Sequence, residues 1–152
     1  MSDPSAVETT ILIPATPEEV WAVALDPHRL EDWVTIHRKL HEAPDRPLRE
    51  GDRIVQTLAL RGAPFKVTWK VEDLDEPHRA VWVGRGPARS IARTEYRLEA
   101  KKKGTLFHYS NNFQPPGGPI GRIAANALVG GLPRTEAEAS LKRLAALLSV
   151  PS

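Results

Sequence analysis

The chain has 152 residues, 41% hydrophobic and 26% charged, and is expected to form a single domain over residues 5–150 around one sizeable core. It contains no cysteine, which excludes a disulfide framework, a thiolate zinc site and a cysteine nucleophile together. The formal charge of +2 comes from 21 basic and 19 acidic residues scattered along the chain, so net charge says little about partners.

Met1-Ser2-Asp3-Pro4 has neither a basic stretch nor an apolar run behind it, and nothing later approaches the roughly 18 apolar residues of a membrane span. A cytoplasmic protein without integral membrane association is expected. Val7, Thr9, Ile11 and Ile13 then alternate with Glu8, Thr10 and Leu12, the period of a half-buried strand. Thr16-Pro17-Glu18-Glu19 is an N-cap, a first-turn proline and two acids where the helix dipole favours them. The short helix after it carries Val20, Trp21, Ala24 and Leu25 inward. Asp26-Pro27 stops it, and Arg29 to Trp33 reads as a second short helix that brings Trp33 to the core.

From Val34 to Phe113 the signals become strands separated by turn clusters, among them Asp75-Glu76-Pro77 and Lys102-Lys103-Gly104. Phe65, Val67, Trp69 and Val71 share one face of a strand, as do Thr94, Tyr96 and Leu98 of another. The last strand sets Phe107, Tyr109, Asn111 and Phe113 against Leu106, His108, Ser110 and Asn112. The facings of Ile36 to Ala43, Ile54 to Leu60 and the continuous run Ala80 to Val83 stay open at this level.

The last third repeats at helical spacing through Ile120, Ile123, Ala124, Ala127 and Leu128, then through Ala137, Leu141, Leu144, Ala145 and Leu148. Gly130, Gly131 and Pro133 interrupt it, and Thr135 with Glu138 reads as a capping box that restarts it. The two apolar stripes are centred roughly 85° apart, so a kink is expected at the interruption. The class is α+β: a curved antiparallel sheet of about seven strands wrapped on a long kinked C-terminal helix, with two short helices after the first strand.

These residues resemble the SRPBCC, START-like or Bet v 1-like helix-grip superfamily, and within it the small bacterial polyketide cyclase/dehydrase and lipid-transport proteins. The carriers are Ile13-Pro14-Ala15-Thr16-Pro17-Glu18-Glu19-Val20-Trp21, Asp26-Pro27 leading to Trp33, Asp75-Glu76-Pro77 with Arg79, Gly104-Thr105, and Gly118-Pro119-Ile120-Gly121. Asp32-Trp33-Val34-Thr35-Ile36-His37 is similar to an actinobacterial subgroup whose members are often named toxins of toxin–antitoxin pairs. The resemblance implies a hydrophobic ligand cavity and no particular chemistry.

Few residues mark chemistry. His37 and His41 are four apart, but His37-Arg38-Lys39-Leu40-His41 lacks the glutamate of a zinc helix and carries two cations, so solvated histidines are expected and no metal. His28 and His78 follow prolines in loops, and His108 falls opposite Tyr109. The basic residues Arg85, Arg89, Arg93, Arg97 and Lys101 to Lys103 are interleaved with Glu95 and Glu99, the pattern of a solvated strand face and not of a nucleic-acid surface. Candidate ligand-binding residues are Trp33, Trp69, Thr94, Tyr96, Phe107, Tyr109, Asn111 and Phe113 of the sheet and short helix, with Ile123 and Ala127 of the long helix. The polar members among the aromatics decide this reading, because an unpaired buried hydroxyl or amide costs about 1 to 3 kcal/mol.

The expectation is a protein, monomeric or weakly dimeric, that binds or sequesters a lipid, polyketide or aromatic metabolite, with no cofactor and no assigned catalytic residue. A polyketide cyclase/dehydratase-like enzyme is the alternative, opposed by the lack of an inward histidine, aspartate or glutamate. A toxin-like interaction protein is the third.

Overall fold

A computed structural model describes residues 6–60, 62–114 and 132–149. Strand β1 (Ala6–Ile13) is followed by helix α1 (Pro17–Ala24) and, after a 3-10 turn at Pro27–Arg29, by helix α2 (Leu30–Trp33). Six strands come next: β2 (His37–Glu42), β3 (Arg53–Leu60), β4 (Ala63–Asp75), β5 (Arg79–Arg85), β6 (Ile91–Lys101) and β7 (Gly104–Gln114). Helix α3 spans Leu132–Ser149.

The local signals account for most of these boundaries. Thr16 caps α1 through a reciprocal box in which Glu19 N–H donates to Thr16 Oγ1 and Thr16 N–H donates to Glu19 Oε1, both at 3.2 Å. Asp26 accepts from His28 N–H at 3.0 Å and opens the next turn. Gly104 begins β7 with φ +141°, and a Cβ there would stand 2.0 Å from the Ile13 carbonyl oxygen. Only glycine fits where β7 passes the end of β1.

All seven strands form one antiparallel curved sheet in the order β1-β7-β6-β5-β4-β3-β2. Cross-strand partners share a face, so the pairs Tyr96 with Tyr109, Ala80 with Tyr96 and Ile11 with Phe107 define the inner face. The core lies between that face and the helices. Trp33, Tyr96 and Phe107 meet Val20, Trp21 and Ala24 of α1 and Leu141 and Leu144 of α3 in one buried cluster.

Strand β5 stands at the centre of the order, and both its faces are covered. Ala80 and Trp82 point into the core, while Val81 is fully buried on the convex side. There the Arg79 guanidinium pairs with Asp73 and Glu95, and Arg93 pairs with Glu72 at 3.0 Å. The aliphatic stems of such residues shield apolar neighbours while their charges stay in water. That is why Ala80 to Val83 shows no period in the sequence.

Helix α3 lies against β1, α1 and α2. Arg134 Nη1 donates to the Glu8 carbonyl of edge strand β1 at 2.8 Å, and Thr35 beyond α2 bonds Glu136 and, through its N–H at 3.0 Å, Ser140 Oγ. Thr135 and Glu138 lie inside α3 and do not open it. The described helix already includes Pro133, because a proline in a first turn forfeits no hydrogen bond. The expected stripe over 120–128, the joint at Gly130 and Gly131, and the candidates Ile123 and Ala127 lie outside the described residues. Among the described residues, no helix is long and apolar enough to cross a membrane.

Candidate functional site

Strands β6 and β7 pair without a register break from Ile91 with Gln114 to Lys101 with Gly104. That unbroken ladder puts Thr94 opposite Asn111 and Tyr96 opposite Tyr109 on the inner face. Tyr96 is the hub of the aromatic cluster, with ring centroids 5.1 Å from Phe107, 5.2 Å from Trp82, 6.0 Å from Tyr109 and 6.1 Å from Trp33. The Trp82 ring stands at 89° to it, the edge-to-face arrangement that aromatic quadrupoles favour.

Burial divides the candidates. Trp33, Thr94, Tyr96 and Phe107 are buried and belong to the packed core, whereas Trp69, Tyr109 and Asn111 are half-buried. Phe113 pairs with Ala92 on the same ladder. A solid floor with a partly open polar patch results.

The patch has a direction. Thr94 Oγ1–H donates to Asn111 Oδ1 at 3.3 Å, which commits the amide oxygen and leaves its N–H groups to donate. Burial pushes the Tyr109 phenol up to about 12, and the neighbouring Asn111 amide opposes that rise. Burial also raises Tyr96 well above the ordinary tyrosine range, with the Tyr109 charge adding to the effect. Both phenols are neutral near pH 7, so Tyr109 presents an O–H donor. The Trp33 indole N–H is a second buried donor, with no hydrogen-bond partner among the described residues.

The other half of the inner face holds a constellation absent from the sequence reading. Trp69 lies over Gly84, where a Cβ would stand 2.7 Å from its Cε3 and Cζ3 atoms, so the ring occupies the space of a side chain. Trp69 Nε1–H donates to Gln56 Oε1 at 2.7 Å, and Gln56 Nε2 lies 2.9 Å from His37 Nδ1. An indole N–H only donates, so the Gln56 oxygen must face it and the amide nitrogen must face His37. His37 Nδ1 is therefore an acceptor. Desolvation holds the imidazole below its ordinary pKa, Glu31 opposing this and Arg38 assisting, so the neutral ring carries its proton on Nε2.

This corrects the expectation for His37, which is an inward, half-buried histidine bonded to Gln56. Strand β2 slips register between His37 and Lys39 and again between Leu40 and Glu42. Each slip reverses the facing of the residues beyond it. His37 thus sits opposite Leu58 on the inner face, while the exposed His41 bonds Thr57 at 2.7 Å on the outer one. Among the described residues, no three histidine, aspartate or glutamate side chains converge on a metal position. His28 bonds the Pro44 carbonyl at 3.1 Å and Asp45 at 3.2 Å, and His108 pairs with Glu99 at 3.3 Å on the convex side.

Beside the β2 edge opens a groove of about 660 Å3 lined by Pro27, His28, Glu31, His37, Leu40 and His41. His37 thus faces this groove on one side and Gln56 on the other. Trp82 and Gln56 are the further inner-face residues that sequence reasoning missed. Trp82 was hidden by the doubly buried strand. Gln56 falls on the same face as Ile54 and Leu58, and only that period could have found it.

Known proteins place this architecture. The family model described as polyketide cyclase / dehydrase and lipid transport matches residues 5–149. The Mycobacterium tuberculosis protein Rv1546 is 29% identical over 146 residues, 94% of this chain and 98% of its own. Toxin Rv0910 of the same organism is 26% identical over 121 residues, 78% of this chain and 84% of its own. The Zhui aromatase/cyclase of a Streptomyces species superposes with a TM-score of 0.77 at 17% identity, over 94% of this chain and 92% of that one, a likeness of fold. The chain belongs to the polyketide cyclase/dehydrase and lipid transport family.

Proposed function

We propose that the inner face of the sheet binds a hydrophobic small molecule bearing an oxygen acceptor, and that its function is binding or sequestration of that molecule. The observation that carries this reading is the bonded pair Thr94 and Asn111 with the neutral phenol of half-buried Tyr109 beside it on one strand face, set in an aromatic floor. Convergent polar groups in an apolar surround orient small molecules. A ketone or hydroxyl oxygen of a polyketide, lipid or aromatic metabolite accepts from Tyr109, and Trp69 offers a flat wall. Neither a phenol with a pKa near 12 nor an amide is a base near pH 7.

Titration with 2-acetonaphthone and with a fatty acid, monitored by tryptophan fluorescence, tests this. Saturable quenching is expected, weakened by about 1 to 3 kcal/mol in Asn111→Leu because the ligand oxygen loses its oriented donor. No saturation with either probe, or equal affinity in the variant, counts against the site.

One observation favours a second reading, an aromatase/cyclase-like enzyme: the neutral His37 on the same inner face as Trp69. A ring with one acceptor and one donor nitrogen moves protons between substrate positions when its pKa lies near the working pH. Turnover of a polyketide substrate that is abolished by Tyr109→Phe or His37→Asn would establish it.

A further inference from the structure

The His37, Gln56 and Trp69 chain can exist in this form only while His37 is neutral. Gln56 offers one acceptor atom and one donor atom, and both are committed. Its oxygen holds the Trp69 indole N–H, and its amide N–H requires a lone pair on His37 Nδ1. A proton on Nδ1 replaces that lone pair with a second donor facing the first. To pair with the cation the amide must turn over and present its oxygen to His37, which sets its NH2 group against the indole N–H. The Trp69 hydrogen bond is then lost. Gln56 is buried, so water is poorly placed to take over.

From this we infer that His37 is a positioning residue for the ligand wall: through Gln56 it holds the Trp69 indole in place while its ring is neutral, and protonation releases the indole. The inference rests on the ligand site proposed above, because Trp69 matters to a ligand only as part of that wall. Geometry makes the coupling one-sided. The indole is backed by Gly84, which has no side chain to hold it, so Gln56 supplies its polar tether.

The charged surroundings of His37 come from each neighbouring element. Helix α2 contributes Glu31, which favours the cation, and its own strand contributes Arg38, which disfavours it. His28, Lys39, His41 and Glu42 line the same groove, and α3 brings Glu136 to Thr35 two residues away. Strand β3 contributes the uncharged Gln56. Burial outweighs Glu31 and keeps the neutral ring, and with it the tethered indole, as the state near pH 7.

The test tracks the indole N–H resonances of the intact protein from about pH 8 to pH 5, the range in which a histidine titrates. The Trp69 signal, assigned with Trp69→Phe, is expected to shift in one step below the ordinary histidine pKa, while those of Trp21, Trp33 and Trp82 hold still and report that the fold persists. In His37→Asn the step disappears. In Gln56→Glu a carboxylate accepts from indole and imidazolium at once, so His37 still titrates but the Trp69 signal no longer tracks it. A Trp69 signal that does not move, or that moves equally in His37→Asn, overturns the inference. Calorimetry with 2-acetonaphthone at about pH 7.5 and 5.5 supplies the second arm, in which loss of the tether weakens binding about fivefold at the lower pH. Binding at both pH values without an indole step sinks the relay and leaves the ligand site standing. No binding at either pH, with the indole step intact, sinks the ligand site and leaves the relay.

Discussion

The two halves of the inner face are built differently. On the β6 and β7 side the ladder runs unbroken, the polar groups sit directly opposite one another, and most of the side chains are buried. On the β2 to β4 side the edge strand slips twice, and its polar groups meet through a chain of hydrogen bonds that spans three strands. One half is a packed floor whose chemistry comes from alternation. The other is a tethered wall whose chemistry depends on where two bulges fall. A ladder without breaks carries its facing from residue to residue, whereas a single slip reverses it for everything beyond.

That contrast makes ranked predictions. The largest effect belongs to the floor: Phe107→Ala removes a fully buried ring and is expected to cost about 3 to 5 kcal/mol in denaturant unfolding. Trp69→Ala, at a half-buried position, should cost clearly less. Equal losses would erase the distinction between floor and wall. Next comes Gly84→Ala, which puts a methyl group against the Trp69 ring and is expected to destabilise by about 1 to 3 kcal/mol. The same variant should shift the Trp69 indole resonance while leaving that of Trp33 in place. Unchanged indole spectra would show that the ring does not lean on the strand.

The smallest effect concerns pH. The folded pKa of His37 is depressed, so the unfolded chain binds more protons as pH falls through about 6.5, the ordinary histidine value. The stability contribution is therefore complete above that value and is lost as pH falls below it toward the folded pKa. Asp52 and Glu99, held below the carboxylate range by Arg46 and by Lys101, lose their contributions only in more acid solution. Denaturation midpoints at about pH 7.5 and 5.5 should thus differ in the native chain and converge in His37→Asn. A variant that keeps the full difference would locate it elsewhere.

The legibility of the fold divides along the same line. Thr16 to Glu19 announces helix α1 because a capping box is complete within four residues. The β6 and β7 facings are legible because Thr94, Tyr96 and Leu98 alternate with charged residues, and Tyr109 and Asn111 with His108, Ser110 and Asn112. Within the site, alternation correctly gathers Tyr96, Phe107, Tyr109 and Asn111 on one face, and Trp69 on the same face from another strand. It does not tell which of them are closed in the core and which stay partly open, since that depends on how α1, α2 and α3 cover the sheet.

By itself, then, the sequence determined the class, the order of elements, the first helix cap and the facings of β1, β6, β7 and β4 from Phe65 to Val71, because those properties are local or strictly periodic. Tertiary structure decided the rest. Val81 is buried because Arg79, Asp73 and Glu95 converge from three strands, and none of those distances is encoded in spacing. His37 turned from a surface histidine into an inward, neutral one because a bulge reversed its strand and Gln56, nineteen positions away, met its ring. A hydrogen bond chooses its donor and acceptor only once both are in place, and that placement belongs to the fold.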